Sequence, residues 1–251
     1  MALIDPGTAD ALDLVDVHYA YPGDDHPVLA GVSVRVRHGE RIAILGANGA
    51  GKSTLLLHLN GLLLPHRGSV TVDGLPVDDA HVRDVRRRVG LVFQDPDDQL
   101  FLPTLLEDVA FGPLNDGVPP AHAEALAREQ LRSLGLEPAA DRAAHHLSGG
   151  EKRLASLATV LIARPRILAL DEPTAGLDAR ARRRVVDLLR RRSETLVLAT
   201  HDLDVARALC RRALLLAGGR IIVDGPLQRL LADPDILRAH GLVDPLAPLE
   251  I

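Results

Sequence analysis

A glycine-rich segment between an apolar run and a helical pattern constrains the fold of this chain more than any other feature. Residues 46–53 read Gly-Ala-Asn-Gly-Ala-Gly-Lys-Ser and fit the phosphate-loop pattern G-x-x-x-x-G-K-[ST]. The apolar run Ile42 to Leu45 precedes the segment, and a helical pattern from about Lys52 to Leu62 follows it. This order of strand, loop and helix is the context that the pattern requires, so an accidental glycine-rich turn is the weaker interpretation.

Each residue type in this loop suits a phosphate group. The glycines at positions 46, 49 and 51 let the backbone curl until successive N–H groups point at one oxyanion, and the helix start adds the positive end of its dipole. Lys52 can reach the β- and γ-phosphates, and Ser53 can offer its hydroxyl to Mg²⁺. The chain has only one other lysine, Lys152, and its remaining Lys or Arg positions are all arginine. A lysine at position 52 therefore suits a role that needs a slim ammonium and that a planar guanidinium does not fill.

Short apolar runs and helical patterns alternate along most of the chain. Strands are predicted at 12–17, 32–36, 41–45, 69–72, 89–93, 167–170, 195–199, 213–216 and 220–223, and helices at 52–62, 179–192 and 203–209. This alternation is typical of an α/β fold with a mostly parallel sheet covered by helices. The stretch from about 95 to 163 is helical and interrupts it, which predicts a subdomain nested in one domain of residues 1–251. The proline-rich end, at about 244–251, is predicted to be a loosely held tail.

Polar side chains follow three of the predicted strands. Asp171 and Glu172 end the run that begins at Ile167, and the carboxyl ends of parallel strands are where ligands bind. Asp171 suits the shell of a Mg²⁺ ion, and Glu172 suits a general base or a group that orients water against the γ-phosphate. His201 and Gln94 follow two other strands, where His201 can touch the γ-phosphate and the Gln94 amide can contact Mg²⁺ and the attacking water. Taken alone, each of these residues could have a purely structural role. Together with the phosphate loop, they favour a catalytic role.

Composition excludes several classes of protein. A net charge of −5 and a pI near 6.1 give no sign of a polyanion-binding surface, so no nucleic-acid partner is expected. The single cysteine, Cys210, excludes an internal disulfide and a cysteine-based zinc site, and it suits a reducing compartment. No signal peptide is expected, and no apolar run approaches the roughly 18 to 20 residues that span a bilayer. A cytoplasmic protein is predicted, and work at a membrane would need a separate membrane subunit.

A second segment has the features of an anion-binding helix start. Residues 147–153 read Leu-Ser-Gly-Gly-Glu-Lys-Arg, with small residues ahead of a charged and then apolar run. The phosphate loop already provides such a start for one nucleotide, so a second start has no obvious use within a single site.

Together these residues resemble the nucleotide-binding subunits of ATP-binding cassette (ABC) proteins. The resemblance follows the family's order along almost the whole chain: the phosphate loop at 46–54, the glutamine loop at Gln94, the signature LSGGE at 147–151, the segment LALDEPTAGLD at 168–178, and His201. It implies an α/β P-loop NTPase fold with a mostly parallel sheet, an antiparallel β subdomain and a nested α-helical subdomain. It also implies an ATPase that uses ATP and Mg²⁺.

Each residue of the expected site then has a role. The resemblance implies that Tyr21 stacks on adenine, with Tyr19 as the alternative, and that Asp178 lies at a dimer interface. The catalytic residues are Glu172, His201, Gln94 and Lys52; the nucleotide-binding residues are Tyr21, Gly46, Asn48, Gly49, Gly51, Lys52, Ser53 and Thr54; and the Mg²⁺ ligands are Ser53, Gln94 and Asp171. The signature residues are Ser148, Gly149, Gly150 and Glu151.

The resemblance also implies a second ATPase subunit. In the closed state of that family, two subunits pack head to tail, and each ATP lies between the phosphate loop of one subunit and the signature of the other. Ser148 and the backbone amides of Gly149 and Gly150 would then bind the γ-phosphate of the partner's ATP. One intact signature and one intact Glu172 favour a homodimer, with a paralogue as the alternative.

Two neighbouring segments resemble one branch of the family more closely. Residues 93–101 and 107–113 are similar to the ATPase subunits of energy-coupling factor importers, including the cobalt and nickel type. The resemblance implies that coupling helices of a membrane-embedded subunit dock near residues 94–112, at the cytoplasmic face of the cell membrane, where this chain would be peripheral. Cobalt, nickel, biotin or another vitamin would fit as the substrate. A soluble ABC ATPase of DNA maintenance or translation, or the ATPase of another ABC transporter, is the alternative function.

Overall fold

The computed structural model describes residues 10–24 and 26–243. The tail expected at about 244–251 lies outside the described residues. Within the two described ranges, the chain forms one antiparallel sheet and one mostly parallel sheet covered by helices.

The strands form two sheets that differ in strand direction. In chain order they are β1 (Asp10–Tyr19), β2 (Leu29–Arg37), β3 (Arg41–Leu45), β4 (Arg67–Val72), β5 (Leu75–Pro76), β6 (Val89–Val92), β7 (Ile167–Asp171), β8 (Thr195–Ala199), β9 (Arg212–Ala217) and β10 (Arg220–Pro226). The antiparallel sheet has the order β2-β1-β4-β5, and the second sheet has the order β10-β9-β3-β8-β7-β6. Strands β9 to β6 in that second order are parallel, and β10 pairs antiparallel with β9 at the edge. The expected α/β fold with a mostly parallel sheet is confirmed.

The helices cover the parallel sheet. They are α1 (Lys52–Leu59), α2 (Val82–Arg88), α3 (Leu105–Asn115), α4 (Pro120–Ser133), α5 (Gly149–Leu161), α6 (Ala179–Arg190), α7 (Leu203–Leu209), α8 (Leu227–Leu231) and α9 (Pro234–Ala239). In the described part of the chain, no helix has the length and apolar character needed to cross a bilayer.

Both faces of the parallel sheet are buried, which is why its strands read as continuous apolar runs. On β3, Ile42 and Ile44 pack toward α1 and the antiparallel sheet, whereas Ala43 and Leu45 pack toward α3 to α7. Since both faces are covered, the strand ends are the part of the sheet left to build a site. The phosphate loop and the predicted polar residues follow the carboxyl ends of these strands.

Some elements differ from the sequence-based expectations. The helix expected at 52–62 ends at Leu59, because Asn60 leaves the helical conformation and Gly61 takes a φ of 68°. The sequence does not predict α2, since its seven residues bury only Val85 and so show no apolar periodicity. The helices α8 and α9 are missed for a similar reason, because each is too short for a helical period to show.

Candidate functional site

The phosphate loop joins β3 to α1 and depends on two glycines that lie against neighbouring backbone. A Cβ atom on Gly46 would lie 2.3 Å from the carbonyl oxygen of Leu216, and one on Gly51 would lie 2.9 Å from that of Val28. Gly51 also has a φ of 101°, which side chains of L-residues rarely allow. A side chain at either position would displace the loop, so the packing against β9 and the segment before β2 requires glycine at both.

Lys52 opens α1 and turns its side chain back into the loop. Its Nζ donates to the carbonyl oxygen of Gly46 at 2.8 Å and to that of Ala47 at 3.0 Å. Burial lowers the pKa of the Lys52 ammonium, while the nearby carboxylates of Glu172 and Asp171 favour its charged form. The loop therefore holds a buried positive charge at the place where phosphate oxygens would enter it.

Asp171 ends β7 beside the loop and has the surroundings of a metal ligand. Its Oδ1 atom is buried and has no hydrogen-bond partner among the described residues. Burial raises the pKa of the Asp171 carboxyl, while the Ser53 hydroxyl favours the ionised form. Magnesium is usually held by one or two carboxylates together with phosphates of the substrate, so an unsatisfied carboxylate oxygen here fits that ion. Within the described ranges, no group of three or more His, Cys, Asp or Glu is placed to hold a metal ion.

Glu172 is fixed by the residues that follow the neighbouring strand β8. Its Oε1 accepts from the backbone N–H of His201 at 2.9 Å and lies 2.7 Å from Nδ1 of the same residue. Its Oε2 accepts the Thr200 hydroxyl at 3.0 Å. The φ of 43° at Glu172 is a conformation that costs a non-glycine residue about 1–3 kcal/mol, and a bond from its N–H to Ala199 O at 2.9 Å maintains it. The carboxylate is thus held in one orientation at the carboxyl edge of the sheet.

These residues meet in one cleft of about 430 Å³ at the carboxyl edge of the parallel sheet. Seven of the eight residues expected to bind nucleotide line it, and the eighth, Gly46, lies behind the loop against β9. The four polar residues that follow strands line the same cleft. Its lining consists of Tyr21, Val28, Asn48, Gly49, Gly51, Lys52, Ser53, Thr54, Gln94, Asp171, Glu172 and His201.

The signature and Asp178 share no residue with the described lining of this cleft, and each caps a helix. The Ser148 hydroxyl donates to Oε2 of Glu151 at 2.7 Å and accepts from the backbone N–H of Glu151 at 3.3 Å, which caps α5. Asp178 caps α6 by accepting from the N–H of Ala181 at 2.8 Å. A Cβ atom on Gly150 would lie 2.8 Å from Cβ of Ala181, so the two helix starts are in contact. The structure therefore separates the expected site residues into a cleft and a pair of capped helix starts.

The two candidate tyrosines have different surroundings. Tyr21 is 37% exposed, lines the cleft, and places its hydroxyl 3.1 Å from Oγ1 of Thr54. Tyr19 is 7% exposed, and its ring packs against those of Tyr21, His58 and His66 with centroids 4.9 to 5.1 Å away. A ring needs an open face to stack on a base. The geometry thus favours Tyr21 over Tyr19.

Comparison with known proteins identifies the family. A family model described as ABC transporter matches residues 29–175, which contain the phosphate loop, the signature, Asp171 and Glu172. The chain belongs to the ABC transporter family. A protein of Streptomyces coelicolor named as an ABC transporter ATP-binding protein is 52% identical over 237 residues, which cover 94% of this chain and 91% of that protein.

Two other relatives of this ABC ATPase carry more specific names. The energy-coupling factor transporter ATP-binding protein EcfA of Methanothermobacter thermautotrophicus is 42% identical over 236 residues, 92% of this chain and 76% of that protein. The solved structure of CbiO1 from Clostridium perfringens, part of the ABC transporter complex CbiONQ, matches with a TM-score of 0.77 and 34% identity. The match covers 94% of this chain and 96% of CbiO1. The protein is therefore an ATP-binding, ATP-hydrolysing subunit of an ABC transporter.

Sequence reasoning missed three residues of this ABC ATPase that contribute to the site. Val28 lines the cleft, and Thr200 is fully buried and orients Glu172. Arg153 is 3% exposed and donates to the carbonyl oxygen of Gln94 at 2.7 Å. The position of Thr200, directly before the histidine at a strand end, is a signal that could have found it. No local pattern points to Val28 or Arg153, because their partners lie far away in the chain.

Replacing Tyr21 by alanine is expected to weaken ATP binding about 5- to 150-fold, because stacking of a base on an aromatic ring contributes about 1–3 kcal/mol. The measurement is a fluorescence titration of the ABC ATPase with mant-ATP. Tyr21→Phe is the matched control, since it keeps the ring and loses only the contact with Thr54. We expect this control to bind nearly as tightly as the wild type, and equal weakening by both substitutions would contradict stacking.

Proposed function

We propose that this ABC ATPase powers a membrane importer of the energy-coupling factor type, which takes up a transition-metal ion or a vitamin. ATP binding would close a pair of ATPase subunits, and hydrolysis would reopen it. The observation that carries the proposal is an exposed pair of phenylalanines that follows the loop holding Gln94. The similarity to EcfA and to CbiO1 supports the same subtype.

The phenylalanine pair is exposed in a chain that has few aromatic residues. Of three phenylalanines in the sequence, Phe101 is 63% exposed and Phe111 is 41% exposed, and their ring centroids lie 5.4 Å apart. Leu114, one helical turn beyond Phe111 on α3, is 42% exposed. We call Phe101, Phe111 and Leu114 the aromatic patch. Grouped apolar side chains of this kind mark a surface for another protein, and an amphipathic helix is a common occupant.

Buried Asp108 keeps the aromatic patch in place. Its Oδ1 accepts from the backbone N–H of Phe101 at 3.1 Å and from that of Leu102 at 3.0 Å. Thr104 and Glu107 form a capping box at the start of α3, in which each side chain bonds the other residue's backbone N–H. These bonds fix the turn before α3, so Phe101 stays at the surface beside its partner ring. A docking surface held this firmly suits a coupling helix of a membrane subunit.

The cleft would hold ATP together with Mg²⁺. The loop amides and Lys52 would bind the phosphates, and Tyr21 would stack on adenine. Ser53, Gln94 and Asp171 would hold the metal ion, whose chemistry is to neutralise charge on the β- and γ-phosphates. The unsatisfied Oδ1 of Asp171 supports this part of the proposal.

Glu172 would accept the proton of the attacking water. The bonds from Thr200 and His201 hold its carboxylate in one orientation, which a general base needs. Gln94 would orient the same water from the end of β6, and His201 would contact the γ-phosphate. The side chains of Glu172, Gln94 and His201 meet in the cleft because they follow β7, β6 and β8, which are neighbouring strands of one sheet.

The signature would complete the site of a second copy of the chain. Ser148 and Glu151 use their side chains to cap α5, and the first amides of that helix, on Gly149 and Gly150, have no partner within the helix itself. These amides and the positive end of the helix dipole suit a phosphate held by another subunit. A head-to-tail homodimer would supply it, with Asp178 at the interface, and a paralogue could take the place of the second copy.

We propose that this ABC ATPase is peripheral and works at the cytoplasmic face of the cell membrane. We propose that residues 1–251 form one domain, in which the helices between about 95 and 163 are a nested subdomain. In support, α3, α4 and α5 share a core of small and apolar residues, among them Val109, Ala127 and Leu157. This helical part carries both the aromatic patch and the signature.

Replacing Phe101 by aspartate is expected to separate the protein from its membrane subunit. A charge at the centre of an apolar contact removes an anchor of the kind that contributes at least about 2 kcal/mol, or roughly 30-fold in affinity. The measurement is affinity purification of the tagged chain from detergent-solubilised membranes of its own cells, with recovered proteins identified by mass spectrometry. The wild type should recover an integral membrane subunit, and F101D should recover about 10-fold less of it or lower still.

Val15→Asp is the matched control for this experiment. Val15 is 48% exposed and lies on β1 of the antiparallel sheet, away from α3. We expect V15D to recover the membrane subunit as the wild type does, and both variants to hydrolyse ATP normally as isolated chains. Equal recovery by the two variants would reject the aromatic patch as the docking surface. Recovery of soluble partners alone by the wild type would reject the transport function.

A further inference from the structure

The loop that carries Gln94 is fastened to the helix that begins at the signature. We define the glutamine loop as residues 93–99, which lead from β6 toward the aromatic patch. We propose that Lys152 and Arg153 are positioning residues that join the glutamine loop and helix α5 into one moving unit, so that a displacement of the loop also displaces the signature. The inference rests on the proposed role of the signature in the site of a second copy.

Arg153 makes the central contact. It is 3% exposed, and its guanidinium donates from Nη1 to the carbonyl oxygen of Phe93 at 2.9 Å and from Nη2 to that of Gln94 at 2.7 Å. A planar guanidinium that bonds two consecutive carbonyl groups fixes the backbone of both residues. Because the Gln94 side chain lines the cleft, its position there is set from α5.

Lys152 adds an ion pair one residue earlier on the helix. Its Nζ lies 2.6 Å from Oδ1 of Asp97, which belongs to a single 3₁₀ turn at Pro96–Asp98 within the glutamine loop. Lys152 is the one lysine of the chain outside the phosphate loop. The pair is partly exposed, with 20% of the Lys152 side chain and 62% of the Asp97 side chain accessible, so it contributes little to stability. Its effect is on where the loop sits relative to the helix.

Gln99 extends the contact along the same face of α5. Its Nε2 donates to the carbonyl oxygen of Ser156 at 2.8 Å and to Oγ1 of Thr159 at 2.6 Å. Its Oε1 accepts from the backbone N–H of Phe93 at 3.3 Å. The contacts on α5 thus recur every three residues from Arg153, which is the spacing of one helix face. The two ends of the glutamine loop are therefore bonded to each other, through Phe93 and Gln99, and each end is also bonded to helix α5.

This arrangement connects three parts of the molecule. The glutamine loop places Gln94 in the cleft at one end and leads into Phe101 at the other. Helix α5 begins at Gly149, directly after Ser148, and Arg153 lies about one turn into it. A membrane subunit that pushes on the aromatic patch would therefore move Gln94 and Ser148 together, and would change this chain's own site and the site of the second copy at the same time.

The test compares two substitutions at Arg153 in the full chain. Arg153→Met keeps the length of the side chain and removes its donors, and we expect its kcat to be about 10- to 100-fold lower, because small misplacements of reacting groups cost about that much. The KM and the mant-ATP affinity should stay within about twofold, since the phosphate loop is unchanged. Arg153→Lys should recover part of kcat, because its ammonium can reach one of the two carbonyl groups. A role in stability alone would not separate kcat from KM in this way.

Charge reversal at the exposed pair gives a second measurement that does not disturb a buried residue. Lys152→Asp and Asp97→Lys each place like charges together, and we expect each to lower kcat about two- to fivefold. The double variant K152D/D97K should recover most of the wild-type kcat. Arg128→Glu is the matched control, since it reverses one partner of an exposed pair with Glu124 on α4 and should leave kcat unchanged.

The outcomes separate this inference from the proposed split site. Wild-type kcat in R153M and in both single reversals would overturn the inference while leaving the split site intact. An active Ser148→Arg variant would reject the split site, whatever Arg153 does. If R153M does not fold, the reversal series decides the question, and a loss in the singles with recovery in the double supports the joined unit.

Discussion

Replacing Glu172 by glutamine is expected to lower kcat for ATP hydrolysis about 10²- to 10⁴-fold while ATP affinity stays nearly unchanged. An amide has almost the same shape as a carboxylate and cannot take a proton from water. The substitution removes the proposed base and leaves Lys52 and the phosphate loop in place, so binding and hydrolysis should separate.

The surroundings of Glu172 indicate that the variant will fold. A glutamine side-chain oxygen can still accept from Thr200 or from the backbone N–H of His201, the two donors that orient the carboxylate. The backbone bond from residue 172 to Ala199 is unaffected, so the strained φ of 43° is still supported. A loss of activity in E172Q therefore reports on proton transfer rather than on the position of β7.

Three measurements test this expectation: steady-state hydrolysis, mant-ATP titration, and light scattering with ATP and Mg²⁺. Glu124→Gln is the matched control, because Glu124 is an exposed residue of α4 that contacts Arg128. We expect E172Q to accumulate as an ATP-bound pair, since the step that reopens the pair is blocked. A kcat within about tenfold of the wild type would remove Glu172 as the base, and a variant that stays monomeric with ATP and Mg²⁺ would contradict the proposed dimer.

Ser148→Arg is expected to lower hydrolysis about 10²- to 10³-fold, because the larger side chain would keep the partner's γ-phosphate away from the amide donors of Gly149 and Gly150, and losing a donor to a developing negative charge usually costs that much. The mant-ATP affinity should remain nearly unchanged, because Ser148 does not line the cleft of its own chain. The bulky arginine would occupy the place where a second copy brings its γ-phosphate. Loss of hydrolysis without loss of binding is the result that a split site predicts.

Thr104→Arg is a closely matched control for Ser148→Arg. Thr104 caps α3 with Glu107 through the same set of bonds by which Ser148 caps α5 with Glu151. Both substitutions should therefore lower the free energy of unfolding by about 0.5–2 kcal/mol, and S148R alone should lose hydrolysis. Equal loss of hydrolysis in both variants would assign the effect to helix capping, and a parallel loss of ATP binding in S148R would contradict the split site.

Much of the fold could be predicted because it depends on neighbours in the chain. Consecutive residues at 42–59 predict the order of strand, phosphate loop and helix. The apolar runs of β3, β7 and β8 predict strands that are buried on both faces of the sheet. Short elements could not be predicted in this way. Helix α2, with a single buried residue, shows no period that sequence reasoning can use.

The expected site follows a similar division. The residues that follow strand ends could be proposed from the sequence, since parallel strands bring their carboxyl ends to one edge. The residues that hold them in position could not be proposed from the sequence, because Thr200 orients Glu172 from 28 residues away and Arg153 bonds the backbone of Gln94 from 59 residues away. The resemblance already preferred Tyr21 over Tyr19, and the structure adds a physical reason, since Tyr21 is exposed and Tyr19 is buried.

By itself, the sequence determined the presence of the phosphate-loop pattern, of Asp171 and Glu172 at the end of an apolar run, and of a second segment typical of an anion-binding helix start. These features depend on residue type and on spacing along a few consecutive positions. Only the tertiary structure decided that Lys152 and Arg153 bond helix α5 to the glutamine loop, and that Phe101 and Phe111 are exposed together. The physical reason is that contact and exposure depend on how distant segments pack, and no local pattern of residues records that packing.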